Sequence, residues 1–196
     1  MPRLPAGQRR AALVEAALRV MARDGLAAGT TRAVVAEAGM PLAAFHYAFS
    51  SRDELLRELV TRVVGRELAA ATAGLDPAAG LAGCLRAAAA GYLDHLEREP
   101  GAEALMLELT LHAVRDPALR PVAAEQYRAY TAAATRLLEE AAAATGATWR
   151  RPVPELARLL VTVVDGATTT WLVDRDTAAT RAVLEAAVDQ LAAWGR

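Results

Sequence analysis

Seven arginines stand in the first 52 residues, at positions 3, 9, 10, 19, 23, 32 and 52, against Glu15, Asp24 and Glu37. Seven minus three is +4, and because the whole chain carries −1, the remainder must carry −5. A small basic head on a larger acidic body is the charge pattern of a protein whose head alone meets a polyanion. Arg32 and Arg52 flank the stretch 42–48, and their guanidinium groups suit phosphates. Thr31 offers a hydroxyl and the N–H groups of a helix start to a phosphate. Between them, Leu42, Ala43 and Ala44 suit thymine methyl groups, and His46 and Tyr47 are the available hydrogen-bonding tips. Arg9 and Arg10 are weaker candidates for a backbone or minor-groove contact. The stretch 42–48 has no formal charge, so affinity is expected from the flanking arginines and specificity from few contacts.

A second set of residues suits a small ligand. Tyr92, His95, Met106, His112, Tyr127, Tyr130 and Trp171 offer apolar walls with a few polar tips, the lining of a pocket for a small, largely apolar effector. Each of them also suits ordinary core. His95 with Glu99, and Glu108 with His112, are four apart on helical patterns, but such pairs are common on solvated faces. No metal site and no cofactor are expected. Catalytic chemistry is poorly provided for: the two serines are adjacent, and no nucleophile–base pair, zinc motif or phosphate loop occurs, so the chain is not expected to be an enzyme. Cys84 is the single cysteine, which excludes a disulfide within the chain and suggests a buried thiol.

The elements that position these residues are helical throughout. The chain has 196 residues and 54% apolar content, much of it alanine and leucine, which carry the least helix cost. Residues 1–8, with two prolines and no period, are expected as a flexible arm, and helix from Arg9, with Leu13, Ala17, Val20 and Met21 on one face. Gly25 stops it, and Thr30 or Thr31 caps the next. Val34, Val35 and Ala38 lie inward on a short helix that ends at Gly39, and Phe45 and Phe49, four apart, mark the core face of the following one. Two short helices joined by a glycine turn make a helix-turn-helix, whose second helix enters the major groove. Ser51 and Glu54 form a capping box that opens a fourth helix at Arg52. Beyond it, Asp76-Pro77, Asp116-Pro117, Pro154 and Asp176-Thr177 read as helix starts and Pro100-Gly101 as a stop. The fold class is all-α, with about nine helices in total: an N-terminal three-helix domain, 1–50, and a C-terminal helical bundle, 51–196, joined by the fourth helix.

The last two helices are apolar on more than one face. Leu160, Val164 and Leu172 on one, with Leu184, Val188 and Leu191 on the other, are expected at a four-helix dimer interface. No apolar run approaches the ~20 residues of a membrane span, and no leader opens the chain, so a cytoplasmic protein without membrane contact is expected.

With these pieces placed, the chain resembles the TetR/AcrR family of bacterial one-component transcriptional regulators. The resemblance rests on the helix 11–25, Leu26, Thr30-Thr31-Arg32, Ala36, Ala38-Gly39, Phe49, Ser51 and the acidic-then-leucine start of the fourth helix. It is specific over residues 9–60 and one of layout beyond. Met40, Pro41, His46, Tyr47, Ala48 and Arg52 depart from that family's usual residues, and the resemblance implies that phosphate contacts move to His46 and Tyr47. It also implies a homodimer binding double-stranded DNA through the N-terminal domain and a small-molecule effector through the C-terminal one. The function expected is a repressor released from a palindromic operator by that effector. The rival, suggested by the uncharged helix, is a helical ligand-binding protein that has lost sequence-specific DNA binding.

Overall fold

The structure, a computed structural model, describes residues 5–196. Among them are nine α-helices: α1 (Ala6–Asp24), α2 (Thr31–Glu37), α3 (Leu42–Ala48), α4 (Arg52–Thr72), α5 (Gly80–Arg98), α6 (Pro100–Arg115), α7 (Arg120–Thr145), α8 (Val153–Asp174) and α9 (Thr177–Ala192). They form two compact units, one of Met1–Val63 with Gly101–Gln126, the other of Val64–Pro100 with Tyr127–Arg196. Packing therefore interleaves the chain, where the sequence pattern suggests a cut after residue 50. Long helices are the reason: α4 and α7 each contribute to both units.

In the first unit α1 packs on α2 and α3, and α2 on α3. Leu13, Met21, Val34, Phe45, Phe49, Leu55, Leu56 and Leu59 are all 3% exposed or less, which is the core face that the helical spacing anticipates. Residues 1–4 of the expected arm lie outside the described residues. The rest of it is helical, because α1 begins at Ala6, with the Pro5 carbonyl accepting the first bond from Arg9 N–H at 3.0 Å. Thr30, rather than Thr31, caps α2, its Oγ1 accepting from Ala33 N–H at 3.1 Å. The turn after α2 is a Schellman motif: Met40 N–H donates to Val35 O at 2.8 Å and Gly39 N–H to Ala36 O at 3.1 Å. Gly39 takes φ +63°, a conformation that costs an L side chain.

The second unit is built on α5 against α9 and α8 against α9. One apolar cluster gathers Cys84, Leu85, Leu138, Leu156, Val161 and Leu191, and another gathers Tyr92, Leu96, Trp171 and Leu184. Asp76-Pro77 opens a 3-10 turn, 77–79, and α5 proper starts at Gly80. Asp116-Pro117 likewise opens a turn, with Asp116 Oδ1 accepting from Ala118 N–H at 2.9 Å, and α7 starts only at Arg120. In both cases the aspartate caps a tight turn that does not propagate. Where no strand is expected, an isolated antiparallel bridge joins Trp149 to Gly195 and closes the loop before α8 onto the C-terminus.

α8 also differs from expectation. At 22 residues it is long and apolar enough, by length and composition alone, to cross a membrane, and 33% of that window is buried inside the chain. The core helix of a soluble bundle passes the same test.

Candidate nucleic-acid interface and effector site

Seven residues of α3 separate cleanly by face. Leu42, Ala43, His46 and Tyr47 point outward, Tyr47 with 82% of its surface exposed, while Ala44 and Phe45 are buried. Positions i, i+1, i+4 and i+5 make one contiguous patch on a helix. Ala44 is therefore corrected from a base contact to a packing residue, since at 7% exposure it offers no methyl to a thymine. Its place follows from Phe45, whose inward ring turns the adjacent Cβ inward too. Phe45 and Phe49 stack at 5.6 Å between centroids, and neither wedges outward.

Among the described residues, the arginines of the head divide into those engaged inside the unit and one that is not. Arg10 is an organising residue rather than a DNA contact. Its Nη1 donates to the Ala48 carbonyl at the end of α3 at 2.6 Å and to Glu54 at 2.8 Å, and its Nε and Nη2 donate to Glu58 at 3.0 and 2.7 Å. The guanidinium lies 4.3 Å over the Phe49 ring. Its hydrogen bonds to Glu58 raise its pKa above the ordinary value. Ser50 donates both its hydroxyl and its N–H to Glu54, and with Arg10 these hold that carboxyl down at about 2. The capping box is shifted by one residue: Ser51 Oγ accepts from Glu54 N–H, but Glu54 reaches back to Ser50. Arg19 and Arg23 pair with Glu37 and Asp24. Arg52 points into the link before α2, donating to the carbonyls of Leu26 at 2.6 Å and Gly29 at 3.3 Å. Two of its five N–H donors are thereby engaged within the head, and the residue is half-buried. Arg32 is exposed and, among the described residues, makes no ion pair or hydrogen bond. Thr31 is half-buried at the first turn of α2.

In the second unit the polar groups converge on one turn of α8. Tyr92 of α5 shares a buried hydrogen bond of 2.5 Å with Thr168. One turn earlier, Asp165 accepts from Tyr127 of α7, and burial pushes its carboxyl above the ordinary carboxylate range. His95 lies one turn beyond Tyr92, buried, with its pKa lowered by that burial. Tyr130, one turn beyond Tyr127, meets it edge to face at 5.8 Å. Asp165 and Thr168 carry no motif in the sequence; only their i, i+3 spacing on a long apolar helix hints at them.

The remaining effector candidates lie elsewhere. Met106 is in the first unit at 1% exposure, and His112 stands on the exposed side of α6, 3.5 Å from Glu108. Neither belongs to the unit that carries Tyr92, His95, Tyr127, Tyr130 and Trp171. Trp171 is buried, but its indole N–H is taken by Thr177 Oγ1 at 3.0 Å and Arg175 covers its ring at 4.4 Å, so it serves the end of α8. Of the expected interface residues, Leu184, Val188 and Leu191 are 5% exposed or less and face their own core. Leu160, Val164 and Leu172 are half-buried. The large apolar side chains left outward on α8 and α9 are Leu159, Val173 and Val183.

Residues 13–59 match the model of the bacterial regulatory proteins of the tetR family, and residues 76–193 that of the tetracyclin repressor-like C-terminal domain. The chain belongs to the TetR family. It is a DNA-binding, ligand-responsive transcriptional regulator with a helix-turn-helix head and a helical C-terminal domain. It is 27% identical over 180 residues to the nicotine-responsive transcriptional repressor HdnoR of Paenarthrobacter nicotinovorans, covering 88% of each chain. Its fold is that of a TetR-family regulator from Rhodococcus sp. (TM-score 0.81, 22% identity, 94% of this chain and 98% of that one). The multidrug binding protein EbrR, solved with imidazole, is 33% identical over 91% of this chain and 94% of its own, with a TM-score of 0.63. A second EbrR structure holds proflavin.

Proposed function

We propose that this regulator represses transcription as a homodimer on a palindromic operator and is released by a small, basic, aromatic-rich ligand. The observation that carries the DNA half is the outward patch of α3. Leu42 and Ala43 meet thymine methyl groups, and His46 and Tyr47 supply hydrogen bonds to base edges or phosphates. Arg32, with Thr31 beside it, supplies the phosphate contact. A gel shift on the DNA upstream of its own gene tests this reading. A discrete complex that survives excess random duplex is expected, and equal competition by random DNA would favour a binding protein without sequence preference. Replacing Arg32 by alanine weakens binding to all sequences and lowers the salt slope by about 1, while Tyr47→Ala changes the preference among sequences.

The ligand half rests on the α8 turn Asp165–Thr168, with Tyr92 and His95 on α5 and Tyr127 and Tyr130 on α7. A carboxylate drawn out of water favours a cationic partner, and aromatic faces add to that preference. One relative is named nicotine-responsive and another, EbrR, is solved with imidazole and with proflavin; all three molecules are basic heteroaromatics, which supports the same class. Proflavin fluorescence tests it: Asp165→Asn keeps an acceptor for Tyr127 and weakens binding about tenfold. Equal binding by both proteins counts against the charge match.

The dimer rests on the outer stripe of α8: Leu159, Thr162, Gly166, Thr170 and Val173 recur at helical spacing without a charge, and Ala179, Ala182, Val183 and Ala186 of α9 continue it. Sedimentation of Val173→Glu is expected to show monomer.

A further inference from the structure

The link between α1 and α2 spans residues 25–30, and one residue in it is held through its backbone from two helices at once. The backbone N–H of Leu26 donates to Glu108 Oε2 of α6 at 2.7 Å, and the carbonyl of the same residue accepts from Arg52 Nη2 of α4 at 2.6 Å. Arg52 also reaches Gly29 O, at 3.3 Å. The Leu26 side chain is 3% exposed, so the residue is fixed by its backbone and its side chain together. Gly25, just before it, needs glycine for its backbone conformation. It takes φ +88°, and a Cβ there would stand 3.4 Å from Glu108 Oε2. Further up α6, a Cβ on Gly101 would stand 2.8 Å from the carbonyl of Ala22, so α6 lies directly on the end of α1. The two points, Gly101 and Glu108, are about two helical turns apart.

Glu108 has no need of this bond for the sake of its own helix. Its side chain is 34% exposed and has water within reach, yet it binds an N–H that lies 82 residues earlier in the chain. A charge-assisted bond of this length is directional and holds geometry more firmly than a neutral one. What it holds matters for the DNA face. Four residues after Leu26, Thr30 caps α2, and α2 carries Arg32 and leads through Gly39 into α3.

We propose that Glu108 and Arg52 are positioning residues for DNA binding, and that α6 sets the geometry of the helix-turn-helix through the Glu108 carboxylate on the Leu26 peptide. The inference rests on the reading of α3 as the DNA-contacting helix. When α6 slides or turns so that Glu108 leaves Leu26, one end of the link is freed while Arg52 keeps the other. The head then loosens without unfolding, and the patch on α3 no longer stands where the groove requires it.

The test uses the full-length protein with Glu108→Ala, Glu108→Gln and, as a control on the same helix, Leu111→Ala. Three quantities are read: amide exchange at Leu26 in the free protein, affinity for the DNA upstream of its own gene, and affinity for random duplex of equal length. In Glu108→Ala the Leu26 amide is expected to exchange about tenfold faster, with a loss of about tenfold on the upstream DNA. Random duplex, held through phosphates alone, changes by less than about twofold. Glu108→Gln, whose amide oxygen still accepts, falls between wild type and Glu108→Ala, and it carries the test if the alanine variant loses its helical signal. Leu111→Ala moves none of the three. An unchanged Leu26 amide in Glu108→Ala, equal losses on both DNAs, or a glutamine variant no better than alanine overturns the proposal. A wild-type protein without preference for the upstream DNA defeats the reading of α3 instead, and the exchange rates then decide the clamp by themselves.

Discussion

In the first unit most of the described arginines are paired with carboxylates or carbonyls of their own unit; in the second, the groups drawn into the interior are hydroxyls, a histidine and an acid. Arg10 joins the end of α3 to Glu54 and Glu58, Arg62 pairs with Glu15 and Arg57 with Glu125, so the head is laced by charge across helices. The body has a few surface pairs, such as Arg86 with Asp189, and places Tyr92–Thr168 and Tyr127–Asp165 among its apolar clusters. The contrast explains a feature of the charge balance. A head of +4 does not present seven free cations to DNA, because most of them are spent on keeping three short helices in register. Helices of seven residues, such as α2 and α3, are too short to be stable alone, so their packing partners must hold them. The long helices of the body have no such need, and their interior is free to carry polar groups.

The contrast is broken most strongly by removing the ring on which the head's charge network rests. Phe49→Ala is expected to destabilise the head by about 3–5 kcal/mol, read as lost protection of α1–α3 amides, while tryptophan fluorescence is unmoved. Trp149, Trp171 and Trp194 all lie in the second unit, so fluorescence reports the body alone. Arg10→Met comes next. It keeps apolar cover on Phe49 but leaves Glu54 with Ser50 alone and takes the arginine from Glu58, a smaller loss measured by the same exchange and eased by salt. Tyr92→Phe acts on the other side of the comparison, costing the body about 1 kcal/mol in a fluorescence-detected urea titration with no salt dependence.

Acid sharpens the comparison with smaller effects. Glu54, held down at about 2, contributes stability that is present above its ordinary 4.5 and lost as pH falls between those values. His95, lowered by burial, contributes stability present above its ordinary 6.5 and lost as pH falls through its native value. Asp165, raised by burial, works the other way: its contribution is full below 3.8 and lost as pH rises through its native value. An acid titration should therefore move the tryptophan signal at higher pH than the protection of the head amides. Simultaneous loss of both at one pH would mean that the two kinds of interior are not separable.

The local rules in the sequence determined a great deal by themselves. Helix content, the Schellman turn at Gly39, the capping of α2 by threonine and the inward faces of Phe45 and Phe49 all follow from spacings of three to five residues. Such signals are legible because donor and acceptor, or the two members of an apolar face, sit on neighbouring turns. The same locality explains the misjudged starts at Asp76-Pro77 and Asp116-Pro117, where a capping aspartate serves a tight turn as readily as a helix.

Partnerships across long sequence separations come from packing alone. Arg10 finds Glu58 at a distance of 48 residues, Arg52 finds Leu26 at 26, and Leu26 finds Glu108 at 82. An arginine read alone is equally a phosphate ligand or an internal strut, and nothing on its own turn distinguishes the two. Leu184, Val188 and Leu191, expected at a partner's surface, face their own core instead because α5 covers α9. An apolar stripe specifies that it must be buried, and only the packing of the other helices specifies against what.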